Sequence, residues 1–288
     1  MKSLSYDLKE LCKRNRDGGF STQKKREQLL KLIAKQLKEC GYRKMTAHSL
    51  KPKHIESLVE RWQAQQLDID TIKARMAVLR WWAAKVNKHN VVARSNAHYG
   101  IARRDYKTNI SKARDITGQQ IKSIGDARIE ASLKLIKAFG LRKMESIKII
   151  PTLADQGDKL YLKASWCKGG RERTIPILTE YQREALNEAK HIAGNSSLIP
   201  PDKKFSQQRD RYDYLTRKAG LSKLHGVRHQ YAQQRYKALT GWECPHQGGP
   251  HRKELTPEQK IVDIRARITI SNELGHNRIE IVANYIGS

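Results

Sequence analysis

Cysteine is scarce in this chain, and the few cysteines are far apart. Four are present, without any paired spacing: Cys12, Cys40, Cys167 and Cys244. This pattern excludes a disulfide framework and favours a reducing cytosol. His246 and His251 follow the last cysteine, but their spacing matches no standard zinc site and a fourth ligand is not evident. We therefore expect neither a metal nor another cofactor.

Long apolar runs and negative charge are also in short supply. No stretch approaches the roughly 18 apolar residues that a membrane-spanning helix needs, and residues 1–6 lack the apolar core of a signal peptide. Only 29 Asp and Glu oppose 57 Lys and Arg, which leaves a net charge of +28. A charge this large repels itself in a compact chain unless a polyanion is the partner. Nucleic acid is therefore the expected partner, ahead of a membrane surface.

Helical periodicity dominates residues 1–100. Apolar stripes predict four helices there: the second ends at Gly41, the third begins near Pro52 and the fourth covers about 70–86. Basic side chains lie between the stripes, and any one of them alone is best explained as part of a solvated helix face. As a group they indicate a phosphate-contacting face, and we select four as candidates: Lys24, Lys25, Arg75 and Arg80.

The periodicity lapses after the first domain, so residues 101–112 are predicted to be a linker and residues 113–288 a second, mixed domain. Short strands are expected at 147–150, 159–163 and 173–177, with a glycine-made turn at 168–171. The remaining segments are predicted to be mostly helical. We interpret residues 240–265 as an insertion, a surface loop near DNA or near a neighbouring protomer. The fold class predicted is mainly α (α+β) with a small antiparallel sheet.

Six side chains of the second domain form a set suited to attack on a phosphodiester. Their order along the chain is Arg142, Lys168, His225, Arg228, His276 and Tyr285. Arginine pairs with two phosphate oxygens at once and stays charged, so it can balance the transition state. A tyrosine nucleophile forms a reversible ester, because its anion is a modest leaving group. Taken one at a time, the tyrosine and the histidines are more often structural residues.

The motifs around these residues resemble those of the tyrosine recombinases, the integrase family of phages and mobile elements. Gly140–Glu145 resembles the first arginine box, Lys168 the hairpin lysine, Leu224–His229 the His-x-x-Arg box, and Leu274–Asn277 the box after it. Tyr285 takes the place of the nucleophile, nine positions after His276. The resemblance covers essentially the whole chain. It implies an N-terminal SAM-like, core-binding helical domain followed by a mostly helical catalytic domain.

The resemblance also implies a role for each residue. Arg142 and Arg228 would hold the scissile phosphate, His276 would contact a phosphate oxygen, and His225 would accept the proton of the tyrosine. Lys168 would protonate the departing 5′-hydroxyl. Glu145 would orient Arg142, and Tyr285 would form a 3′-phosphotyrosine bond. Two arginines beside the lysine turn are further candidates for DNA contact: Arg171 and Arg173.

By the same resemblance, the partner would be double-stranded DNA at attachment sites. The protein would be a homotetramer on DNA and a monomer when free, with a directionality factor or a DNA-bending protein as possible helpers. A cytoplasmic, nucleoid-associated protein encoded by a bacterium or phage is expected. Two departures stand out: 48 positions separate Arg228 from His276 (276 − 228), more than is usual, and the chain stops three residues after Tyr285. A catalytically silent DNA-binding relative and a type IB topoisomerase are the alternatives.

Overall fold

A computed structural model of the protein describes residues 3–103, 110–276 and 278–288. The chain divides into two compact units, Met1–Asp105 and Tyr106–Ser288. Part of the predicted linker, residues 104–109, lies outside the described residues, as does Asn277 of the last predicted box. Among the helices in the described ranges, none has the length and apolar character required to cross a membrane.

The first unit is helical throughout its described residues. Its α-helices are α1 Leu4–Arg14, α2 Phe20–Glu39, α3 Pro52–Ala64 and α4 Ile69–Lys85. Their apolar stripes pack into one core, at the centre of which Trp62 and Trp82 are fully buried. Each indole N–H has a partner: Trp62 donates to the Gln36 side chain at 3.0 Å and Trp82 to the Ala47 carbonyl at 2.8 Å. These bonds remove the cost of burying a polar atom.

The second unit contains nine α-helices and two strands within its described residues. The elements are α5 Gly118–Lys122, α6 Ala127–Phe139, α7 Lys143–Lys148, α8 Pro151–Ala154, β1 Lys159–Leu162, β2 Arg173–Pro176, α9 Glu180–Ala193, α10 Phe205–Lys218, α11 His225–Thr240, α12 Pro257–Glu273 and α13 Ala283–Ile286. The strands pair antiparallel, with Leu160 opposite Ile175. Short 3₁₀ turns precede α13 at Ile279–Val282 and occur in the insertion at Pro245–Gln247.

Helix α11 is the element that organises this unit. It packs against α6, α12 and α13, and both apolar and polar residues along it are buried. Val227, Ala232 and Tyr236 contribute to the core. Arg228 and Gln233 are at most 2% exposed, so this helix carries buried polar groups as well as core residues. A helix with buried polar side chains needs hydrogen-bond partners on neighbouring elements, and these partners form the site described below.

The predicted mainly helical fold with a small antiparallel sheet is confirmed, but two local predictions are wrong. Residues 147–150 are not a strand: α7 extends to Lys148, and α8 begins at Pro151. The β-branched run was misleading because proline at the first helical position favours a helix start. The segment 240–265 is not all loop, since its last nine residues, 257–265, are the beginning of α12. Thr256 caps that helix in a capping box with Gln259.

Candidate active site

The first arginine box is built on a tight connection between α6 and α7. Helix α6 ends at Gly140, whose φ of 60° is left-handed, and a Cβ there would lie 2.5 Å from the Tyr231 ring. Only glycine fits both requirements. Two residues later, Arg142 caps α7. Its backbone N–H and its Nη1 both donate to the Glu145 carboxylate, each at 2.8 Å.

Glu145 is fully buried and bridges two arginines. Arg173 donates to the same carboxylate through Nη2 at 2.7 Å and Nη1 at 3.2 Å. Burial opposes ionisation of Glu145, but the hydrogen bonds and charges of Arg173 and Arg142 outweigh it, so the pKa falls to about 2. The carboxylate is therefore ionised at neutral pH and accepts hydrogen bonds from the main chain and the side chain of Arg142.

Arg173 was expected to contact DNA, and the structure corrects that prediction. Its side chain is only 6% exposed. Besides its two bonds to Glu145, its Nε donates to the Glu273 carbonyl at 2.7 Å. Glu273 directly precedes the Leu274–His276 part of the last box. The guanidinium of Arg173 therefore joins the arginine box to the histidine box inside the protein.

Arg228 lies at the centre of the site and is completely buried. Its two terminal nitrogens donate to the carbonyls of Gly140 and Leu274, which belong to the two boxes that flank it in space. Its Nε has no hydrogen-bond partner among the described residues. Burial first of all lowers the pKa of Arg228, to about 10, so the side chain stays positively charged at neutral pH.

The predicted nucleophile lies directly against this arginine. Tyr285, on α13, is 5% exposed, and the centre of its ring is 5.8 Å from Cζ of Arg228. Its hydroxyl oxygen lies 3.2 Å from Nε2 of His276. The same Nε2 is 3.5 Å from Nη2 of Arg228. Because arginine only donates, Nε2 is the unprotonated ring nitrogen and can accept from the tyrosine.

Burial and the charges around the site lower the pKa of both predicted histidines. Burial, followed by the charges of Arg228 and Arg142, lowers the pKa of His276 to about 4. The pKa of His225 is lowered by the same causes in the same order. His225 is the first residue of α11, and its ring centre is 6.1 Å from that of Tyr285. Thus His276, and not His225, is the hydrogen-bond partner of the tyrosine.

His229 is a residue that the sequence reasoning missed. It is 5% exposed, and its ring stacks at a tilt on Tyr285 with 4.4 Å between centres. Its Nδ1 has no partner among the described residues. Burial, then the charge of His225, lowers its pKa to about 4. The sequence did contain an indication that His229 belongs to the site: it lies one helical turn after His225, and residues four apart share a helix face.

Lys168 and Arg171, the other two predicted residues of this unit, form no side-chain hydrogen bond or ion pair with the described residues of this cluster. Lys168 is exposed in the connection between β1 and β2, and it makes no hydrogen bond or ion pair with a described residue. Gly169 and Gly170 both have positive φ, as the predicted turn requires. Arg171 is exposed in the same connection. The structure therefore brings together five of the six predicted catalytic residues.

The basic candidates of the first unit differ in exposure. Lys24 and Lys25 are exposed on α2, whereas Arg75 and Arg80 are half-buried on α4. Arg80 donates to the Ala93 carbonyl at 3.0 Å and to the Asn96 side chain at 2.6 Å. Arg75 stacks on Trp62 with 5.2 Å from Cζ to the ring centre. Both arginines thus have contacts within their own unit.

The histidines of the insertion are engaged by main-chain groups. Nδ1 of His246 lies 3.1 Å from the Tyr285 carbonyl, and Nδ1 of His251 lies 2.9 Å from the Ser288 carbonyl. Across residues 3–103, 110–276 and 278–288, no three His, Cys, Asp or Glu side chains cluster as metal ligands would. Cys244 is buried, and its burial raises the pKa of the thiol to about 11.

Comparison with protein families finds matches over most of the chain. A family described as phage integrase, N-terminal, matches residues 1–92. A second family, described as integrase, matches residues 100–234. A search of the curated proteins finds no match.

Several solved structures have a similar fold. A lambda integrase (75–356) dimer bound to a COC′ core site has a TM-score of 0.60 at 13% identity, over 99% of this chain and 95% of that one. The XerH site-specific recombinase bound to difH has a TM-score of 0.58 at 14% identity, over 98% of this chain and 80% of that one. The Tn1549 transposon integrase with circular intermediate DNA has a TM-score of 0.56 at 13% identity, over 100% of this chain and 96% of that one. At these identities the similarity establishes the fold, including its small sheet and helical first unit.

Proposed function

Because this chain belongs to the phage integrase family of tyrosine recombinases, we propose that it integrates or excises a mobile DNA element by way of a 3′-phosphotyrosine intermediate at Tyr285. One observation carries the assignment of the nucleophile. The Tyr285 hydroxyl is 3.2 Å from a neutral histidine nitrogen and lies beside the charged guanidinium of Arg228. A phenol placed between a proton acceptor and a fixed cation is ready to attack an anionic phosphate.

In the proposed first step, the tyrosine loses its proton to Nε2 of His276. The distance is within the range for direct proton transfer. A pKa of about 4 makes His276 a weak base in the free protein. A bound phosphate would raise that pKa, since nearby negative charge favours the protonated ring. This assignment replaces the role first expected for His225, whose ring is farther from the hydroxyl.

The phosphate itself would be held by Arg142 and Arg228. Arg142 is 20% exposed and is oriented by Glu145, so its remaining donors are available to a ligand. Cζ of Arg228 lies 5.8 Å from the centre of the Tyr285 ring, and its Nε, which has no partner among the described residues, would be the donor to a phosphate oxygen. His225, the first residue of α11, would contact a phosphate oxygen. Attack breaks the bond to the 5′-oxygen and forms the bond to the tyrosine oxygen.

Lys168 would donate the proton that the leaving 5′-hydroxyl needs. It is exposed in a connection with two glycines of positive φ, and such a connection can change its conformation at low cost. We propose that it closes on the cleavage site when DNA is bound. Rejoining reverses the step with a 5′-hydroxyl from another strand. Since the ester conserves the bond energy, no nucleotide cofactor is consumed.

The proposal extends to partners and domains. Residues 1–100 would form the core-binding domain, contacting DNA through Lys24 and Lys25 of α2, and residues 113–288 would form the catalytic domain. The lambda integrase and XerH structures contain DNA, and a lambda integrase tetramer has been seen on a Holliday junction. We propose attachment-site DNA as the substrate and a tetramer as the active assembly. A nucleoid-associated cytoplasmic protein of a bacterium or phage fits this role.

The first step of the test is to trap the covalent complex of protein and DNA. Sodium dodecyl sulfate added to the protein with genomic DNA should leave DNA covalently attached, and sequencing that DNA gives the site. A duplex of this site, nicked beside the cleavage position, should then accumulate the adduct with wild type. We expect His276→Ala to slow adduct formation at least a hundredfold and His225→Ala to slow it less. The opposite order would return the proton acceptor to His225, and no adduct with wild type would favour a silent DNA-binding protein.

A further inference from the structure

The segment between α11 and α12 contacts the helix that bears the nucleophile. We call residues 241–251 the brace. We propose that the brace, through His246 and Gln247, holds the main chain of Tyr285 in position for cleavage within the same chain. This inference rests on the proposed function for its catalytic part only. It gives the long interval between Arg228 and His276 a role in the reaction.

The main contact is the carbonyl of Tyr285. This carbonyl is near the end of a short helix, where carbonyl groups lack helical partners. Two side chains supply the missing donors: Gln233 of α11 through Nε2 at 2.8 Å and His246 of the brace through Nδ1 at 3.1 Å. A carbonyl only accepts, so Nδ1 of His246 carries the proton. The carbonyl is therefore fixed from two directions.

The brace also fixes the orientation of Gln233 itself. Gln247 donates through Nε2 to the Gln233 side-chain oxygen, which leaves the Gln233 amide nitrogen directed at Tyr285 and at Ser111, 2.9 Å away. Gln233 is 2% exposed. A buried amide with all its groups paired has one favoured orientation, because reversing it would set donor against donor.

Packing leaves little room for movement after the tyrosine. Gly287 has a φ of 90°, and a Cβ there would lie 2.7 Å from the Pro245 ring and 3.1 Å from His246. From the opposite side, Arg267 of α12 donates to the Gly287 carbonyl at 2.9 Å. Arg267 is paired in turn with Asp263 at 2.7 Å. The main chain next to Tyr285 is thus enclosed by α11, α12 and the brace.

These contacts differ from those expected of a DNA-contacting loop. The basic residues nearest the brace, Arg252 and Lys253, are exposed, and neither makes an ion pair or side-chain hydrogen bond with a described residue. Within the brace, His246 and His251 instead contact the carbonyls of Tyr285 and Ser288, and Gln247 contacts Gln233 of α11. We therefore assign the brace to positioning of the nucleophile and not to binding of DNA.

The first arm of the test needs no DNA. Amide hydrogen exchange of residues 279–288 is measured by mass spectrometry in the free protein. His246→Ala and Gln247→Ala should each speed this exchange at least tenfold, whereas the double variant Arg252→Ala/Lys253→Ala should exchange like wild type. His246→Asn should restore slow exchange, because its amide can donate where Nδ1 did. Unchanged exchange in both single variants would overturn the proposal, whether or not the protein cleaves DNA.

The second arm measures adduct formation on the nicked duplex at saturating DNA. His246→Ala should slow it about tenfold or more at unchanged DNA affinity, and His246→Asn should recover most of the rate. Weaker DNA binding by Arg252→Ala/Lys253→Ala, with normal rates for the His246 variants, would make the brace a DNA contact. Normal adduct formation by every variant, with only strand exchange lost, would make it a contact between protomers.

Discussion

At the scale of single residues, Glu145 binds Arg142, and Arg173 in turn binds Glu145. Glu145 is ionised in the interior because two arginines bind it, and the Arg173 side chain, only 6% exposed, is hydrogen-bonded within the protein. The network continues from the Arg173 Nε to the main chain before His276. The Arg173 guanidinium therefore links the carboxylate of Glu145 in the arginine box to the Glu273 carbonyl, which lies 100 residues after Arg173 and directly before the histidine box.

Replacing Glu145 tests this network. Its pKa is about 2 in the folded protein, below its value of 4.5 in the unfolded chain, so the stability it contributes is present above pH 4.5 and is lost as the pH falls toward 2. Glu145→Gln should cost on the order of 3 kcal/mol at pH 7, which lowers Tm by roughly 6–12 °C. Scanning calorimetry at pH 7 and pH 3 measures the difference. The Tm difference between wild type and Glu145→Gln should shrink at pH 3 to about half or less of its value at pH 7. Equal Tm values for the two proteins at pH 7 would contradict this account.

Two buried histidines predict a second effect of acid. His229 and His276 both have pKa values of about 4, below the ordinary 6.5. The unfolded chain therefore binds more protons between pH 6.5 and 4, and stability should fall across that range as pH is lowered. His229→Asn should flatten the dependence of unfolding free energy on pH between 6.5 and 4. An identical slope in wild type and variant would show that His229 binds protons equally in the folded and unfolded states, which would contradict its lowered pKa.

At the scale of elements, the sequence predicted best where one signal dominated. The helices of the first unit have clear apolar stripes, and their caps and breaks were visible at Gly41 and Pro52. The run Ile147–Ile150 was misread as a strand because β-branched composition outweighed the helix start at Pro151. The first half of α12 was missed although Thr256 and Gln259 form a capping box, because its polar composition concealed the periodicity.

The candidate site was predictable as a list of residues but not as a set of contacts. Motif order located Arg142, Arg228 and Tyr285. It could not reveal that His276 is the hydrogen-bond partner of the tyrosine, or that His229 stacks on it. Such contacts depend on how α11, α12 and α13 pack, which no local pattern encodes. The same holds for Arg173, whose burial follows from its place opposite Glu145.

The turn between α6 and α7 supplies a prediction at this scale. Gly140→Ala would force a left-handed φ on alanine and place its Cβ 2.5 Å from the Tyr231 ring. We expect a loss of ~2–4 kcal/mol of unfolding free energy and slower cleavage, because the Gly140 carbonyl accepts from Arg228. Gly220→Ala is the matched control, with a φ of 72° and open space around the new Cβ. It should cost only about 1 kcal/mol. Equal losses of unfolding free energy in the two variants would show that contact with the Tyr231 ring does not contribute to the effect of Gly140→Ala.

At the scale of the whole molecule, charge and chemistry point to the same partner. A net charge of +28 suits a polyanion, and in the proposed reaction the arginines of the site would balance the added charge of the transition state. Unit 1 holds basic helices but none of the six candidate catalytic residues, which all lie in unit 2. We therefore propose that unit 1 contributes to DNA binding and that the chemistry belongs to unit 2.

The proposed chemistry predicts that cleavage does not depend on a metal ion. Arginine cations and a tyrosine nucleophile together supply what a metal would supply at a phosphodiester. Adding EDTA to the nicked-duplex assay should therefore leave the rate of adduct formation within about twofold of its value. Restoring Mg²⁺ should change nothing further. A loss of cleavage in EDTA that Mg²⁺ reverses would require a metal site that this account lacks.

The central claim is that Tyr285 forms the covalent bond to DNA. Its most direct test is nuclease digestion of the trapped complex followed by peptide mass spectrometry, with Tyr285→Phe in parallel. We predict a nucleotide attached through its 3′-phosphate to the peptide that contains Tyr285. The Tyr285→Phe protein should give no adduct while it still binds the duplex. A nucleotide on any other residue, or an adduct that survives in Tyr285→Phe, would contradict the account.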